Sequence, residues 1–113
     1  PCGDNRHAYR RVIGEAPALL DRLRLPSDRA RVHFAVGYAW ADIVGLAAGG
    51  SNYEESDMFA AEADTARVKA VESIREGLRL DGTSFRARRS RELAWRLLAG
   101  LPPDDLRFYC VYD

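Results

Sequence analysis

Apolar side chains recur along this chain mostly at helical spacing, in blocks divided by Gly and Pro. The first block runs from Asp4 to Val12–Ile13, with Gly14 as its stop. Pro17 then suits the first turn of a second block, where its missing N–H costs nothing, and Leu19, Leu20 and Leu23 follow up to Leu25–Pro26. The two blocks also read as one kinked helix.

Ser27 is a good N-cap and Asp28 suits the positive end of a helix, so the next helix is predicted from there to Ala48, stopped by Gly49–Gly50. Its wheel is apolar twice over. Val32, Val36, Trp40, Ile43, Val44 and Ala47 share one face, and Phe34, Tyr38, Ala41 and Gly45 share the opposite one. A helix apolar on two sides is either central to a bundle or shared with a second chain. The same stretch also alternates, with Val32, Phe34, Val36, Tyr38 and Trp40 in strand register, although Ala35, Ala39 and Ala41 favour helix.

Ser51-x-x-Glu54 has the form of a capping box and opens a helix predicted over 51–78. Phe59, Ala63, Ala66, Ala70, Ile74 and Leu78 make its stripe, and the alanines permit a close helix–helix approach. Ala63, Ala66, Ala70 and Ile74 are expected to be buried. Arg67 falls within the stripe, so a carboxylate partner is expected for it, with Asp42 the candidate. Asp81–Gly82 marks a turn. The basic residues Arg86, Arg88, Arg89 and Arg91 oppose a helix N-terminus, which places the start of the last helix at Ser90. Ala94, Trp95, Leu97 and Leu98 form its apolar side. Gly100 stands where a C′ glycine belongs, Leu101 is placed to fold back on Trp95, and Pro102–Pro103 end the helix. The tail 106–112 reads two ways: Pro103 and Asp104–Asp105 can start a short helix, whereas Phe108-Tyr109-Cys110-Val111-Tyr112 is β-rich by propensity.

The fold class expected is therefore mainly α: one domain over 1–113, a compact bundle of four to five helices with a short C-terminal strand as an added element. The alternative is an α+β fold with strands near 32–40 and 106–112. The length, 113 residues, is enough to hide roughly two-thirds of the unfolded surface without staples.

Composition changes this picture little. Apolar residues make up 47% and charged residues 30%, a globular balance. The 17 basic and 17 acidic residues cancel, so no long-range field draws the chain to nucleic acid or to an anionic membrane. No run of apolar residues is long enough for a membrane span. No signal-peptide pattern is visible and a cytoplasmic protein is expected. In a secreted chain, Cys2 and Cys110 would instead form one bridge, worth at most about 4–5 kcal/mol.

Chemical signatures are thin. Two Cys and two His give no zinc spacing, and neither His7 nor His33 has the Glu-x-x-His partner of a di-iron bundle. No P-loop or dinucleotide fingerprint occurs. His33 would need an orienting carboxylate, such as Asp42, to act as a base, and a lone core histidine is the more ordinary reading. Residues 42–51 fit a helix-turn-helix turn loosely, but the helix that would enter the groove carries Glu54, Glu55, Asp57, Glu62 and Asp64 before any cation, and phosphate would repel it. No catalytic, cofactor or metal residue is assigned.

Two functions remain. The first is a helical protein–protein interaction module, self-associating through Phe34, Tyr38, Ala41 and Gly45. Two Trp, five Tyr and four Phe suit interface anchors. The second is a nucleic-acid accessory protein in which Arg86, Arg88, Arg89 and Arg91 hold phosphates, with a log–log salt slope of about −3 to −4. Against that second reading, these arginines are expected to meet Glu54, Glu55 and Asp57 of the same or a neighbouring subunit.

Overall fold

In a computed structural model of the chain, residues 8–47, 61–101 and 103 are described. They form four helices and no strand: α1 (Ala8–Arg22), α2 (Pro26–Ala47), α3 (Ala63–Leu80) and α4 (Phe85–Leu98). The fold is a mainly α bundle, as the periodicity predicts. The strand alternative for 32–40 is overturned, because α2 runs through it without a break. The capping box at Ser51 and Glu54, Phe59, the tail 106–112, Cys2 and Cys110 lie outside the described residues. None of the described helices is long and apolar enough to cross a membrane.

α2 is the axis of the bundle and packs against α1, α3 and α4. Three neighbours explain why its sequence is apolar on more than one side. The main core joins Tyr38, Ala41, Ile43 and Val44 of α2 to Tyr9 of α1, to Ala66, Ala70 and Ile74 of α3, and to Leu93 and Leu97 of α4. A smaller cluster of Ala30, Phe34 and Ala87, flanked by Leu78 and Leu80, closes the other end.

α1 is a single helix that runs through both Gly14 and Pro17. An interior Pro costs ~3 kcal/mol and a Gly about 1. Both residues lie on the exposed side, while Tyr9 and Ala16 are buried and Val12 and Ile13 pack on the core. Burying even two large apolar side chains, at about 1.5–3 kcal/mol each, offsets that cost. α2 begins two residues earlier than a Ser27 cap would give. Pro26 takes the first helical position, so Ser27 lies inside the first turn and is no cap.

α2 and α3 approach closely, and two glycines permit it. A Cβ on Gly77 would lie 2.5 Å from Phe34 Cε1, and one on Gly37 would lie 2.7 Å from Ile74 Cγ1. Ala66, Ala70 and Ile74 are buried as expected, whereas Ala63 is only half-buried near the start of α3. α3 ends at Leu80, where the extended residue Asp81 donates its N–H to Gly77 O at 2.9 Å.

α4 starts at Phe85 and not at Ser90. The Ser84 hydroxyl caps it, accepting from the Ala87 N–H at 3.1 Å. A cap is worth about 1 kcal/mol, against a few tenths for an exposed cation near the positive end. The extra turns also carry Ala87 and Ser90 into the interior. The Ser90 hydroxyl meets the Tyr38 hydroxyl at 2.9 Å, so two buried polar groups satisfy each other across α2 and α4. The other end is a Schellman turn. Gly100 has φ +76°, its N–H donates to Leu97 O, and the Leu101 N–H donates to Arg96 O.

Candidate interaction surface

The longer α4 decides which of its residues face the core. Ala87, Ser90, Ala94 and Leu97 recur at i, i+3, i+7 and i+10 and are buried, with Leu93 beside them. Arg88, Arg91, Trp95 and Leu98 follow the same spacing one residue later, and all four are exposed. Trp95 is 69% exposed and Leu98 67%. Trp95 and Leu98 therefore do not belong to the buried side, where the sequence placed them, and Leu93 does. Leu101 is also 47% exposed.

The four arginines expected to act together are separated by the same helix. Arg88 and Arg91, a turn apart, stand on the outer row with Trp95. Arg86 and Arg89 form a second pair on a different side, both half-buried, with the Arg89 guanidinium 5.8 Å from the centre of the Phe85 ring. Arg91 Nη2 donates to Gly82 O at 3.0 Å, which ties its side chain to the α3–α4 turn. Glu54, Glu55 and Asp57, the expected acidic counterpart, lie outside the described residues.

The stripe expected as a dimer face is not open. Phe34 is 2% exposed, and Tyr38 and Ala41 are likewise buried within the single chain; Gly45 is half-buried with Pro103 beside it. α3 and α4 cover what the sequence left for a second copy.

Arg67 has no carboxylate partner among its described bonds. Its Nη1 donates to Leu97 O at 2.7 Å and to Leu101 O at 3.3 Å, so it binds the carbonyl end of α4. Arg29 does the same for α1, donating to Leu20 O at 2.6 Å and Leu23 O at 3.2 Å. Guanidiniums suit these sites because the last carbonyls of a helix have no partners within it and carry its negative end.

One oxygen of Asp42 is left without a partner among the described residues. Its Oδ1 is shut off from water and accepts no hydrogen bond, and burial pushes its pKa up to about 7. His33 lies elsewhere on α2, held below its ordinary pKa by partial burial and by Arg29 and Arg79, with Glu76 opposing. The two residues, nine apart, fall on opposite sides of α2 and make no acid–base pair.

The outer row of α4 thus sets two cations, a tryptophan and a leucine on one exposed face at regular spacing. No protein-family model matches this sequence, and no curated protein or solved structure is significantly similar to it.

Proposed function

We propose that this chain is a small helical protein–protein interaction module whose contact surface is the outer row of α4: Arg88, Arg91, Trp95 and Leu98. The observation that carries the reading is the 69% exposure of Trp95, a residue type that a stable bundle normally covers. Trp and Arg are the residues that most often anchor protein interfaces, and here they stand a turn apart on one rigid helix. Rigidity matters because a preformed helix loses little entropy on docking. The buried Ser90 and Leu93 hold the opposite side of the helix in the core.

The reading is tested with a photo-crosslinking residue at Leu98 in one protein and at exposed Arg75 of α3 in another, each expressed in its native cells. A discrete crosslinked species is expected from position 98, none from position 75, and loss of the first when Trp95→Ala is added. Equal labelling from both positions, or none from 98, overturns it.

A further inference from the structure

We propose that the partner of this row is an acidic amphipathic helix. The inference rests on the reading of the α4 outer row as the contact surface, and adds the chemistry of what binds there. The row is chemically divided: two guanidiniums occupy its first turn and two apolar side chains its last. From position 88 to 98 it spans about 15 Å, three turns of helix. Arg88 has no ionic or hydrogen-bonded partner among the described residues, and Glu92, one turn on, does not pair with it. Arg91 spends one donor on Gly82 O, and a guanidinium has five. The row therefore presents positive charge, with Arg91 tied to the α3–α4 turn and Arg88 open, beside apolar area.

A second copy does not fit this pattern. Two rows paired antiparallel would set Arg91 against the other Trp95 and Arg88 against the other Leu98, gathering four guanidiniums in one interface with no carboxylate in either row. A nucleic acid fits less well. Only two of the four arginines share the face, the chain as a whole is neutral, and Leu98 offers phosphate nothing. A helix bearing carboxylates on one turn and leucine-like side chains on the next complements both halves.

The probe is a fluorescein-labelled peptide of about four turns, with leucines along one stripe and glutamates beside it; its control carries lysine for every glutamate. Anisotropy is measured with the full chain. The glutamate peptide is expected to bind and the lysine peptide not. Trp95→Ala with Leu98→Ala should weaken binding by at least about tenfold. Arg88→Glu with Arg91→Glu should reverse the preference toward the lysine peptide. Circular dichroism and melting of each double variant should match the parent, because all four side chains are exposed. Equal binding of both peptides, or preference unchanged by the charge reversal, overturns the acidic partner. If that binding is still lost with Trp95, the contact surface itself stands. Binding of neither peptide while position 98 still crosslinks also overturns the acidic helix alone. Absence of crosslinking removes the surface beneath it.

Discussion

Two residues test this packing directly. Asp42 is a buried carboxyl with an unbonded oxygen and a pKa near 7 in place of 3.8. Below pH 4 both folded and unfolded chains hold the proton and there is no penalty. Between about pH 4 and 7 the unfolded chain ionises while the folded one does not, so stability falls as pH rises; above 7 the penalty is constant. Three pK units set its ceiling near ~4 kcal/mol. Asp42→Asn is thus expected to melt several degrees above the parent at pH 8 and level with it at pH 4. Parallel melting curves across that range would refute the assignment. Gly77 is the second. Alanine normally gains about 1 kcal/mol over glycine within a helix, but here the added methyl meets the buried Phe34 ring, and overpacking costs about 1–3. Urea titration should find Gly77→Ala destabilised despite its better helix propensity.

At the scale of elements, the arginine-rich composition acquires a structural use. Arg29 and Arg67 each reach across to the carbonyl end of another helix, α1 and α4 respectively. Arg67 ties α3 to the same turn that Gly100 terminates, which fixes where the chain leaves α4. Arg67→Met keeps the stem and loses the donors; it should cost about 1–3 kcal/mol, with Arg67→Lys recovering part of it. If the methionine variant denatures with the parent, the side chain contributes only its packing.

For the molecule as a whole, the buried and the exposed rows of helix should contribute very differently to stability. Ile74, fully buried between α2 and α3, should cost about 2–5 kcal/mol when cut to alanine. Trp95→Ala with Leu98→Ala removes more atoms yet should change stability by less than about 1 kcal/mol, since little of either side chain leaves water on folding. Amide exchange supplies a check without mutation: protection should peak at the α2–α3 contact, from Phe34 to Val44 and from Ala66 to Gly77, and fall toward the end of α4. Uniform protection would mean the core is not organised around α2.

The sequence by itself determined that the chain is helical, that its third described helix buries Ala66, Ala70 and Ile74, and that Gly100 ends the last one. Each of these follows from residues within a turn or two of one another, where periodicity and capping act. Only the tertiary structure decided the rest. Phe34 and Tyr38 looked like an open stripe because a wheel shows which residues share a face but not how many helices surround it. Trp95 changed sides because moving the start of α4 to Ser84–Phe85 selected a row one residue, or about 100°, away. The Ser84 hydroxyl caps α4 despite the arginines that follow, because one cap hydrogen bond outweighs the repulsion of exposed cations from the positive end. Arg67 found carbonyls rather than Asp42, and Asp42 Oδ1 was left without a hydrogen bond, because partners 25 or 30 residues away in sequence depend on how helices pack. The exposed row came from that same packing: burial claimed Ala87, Ser90, Ala94 and Leu97 of α4 and left Arg88, Arg91, Trp95 and Leu98, one residue on, at the surface.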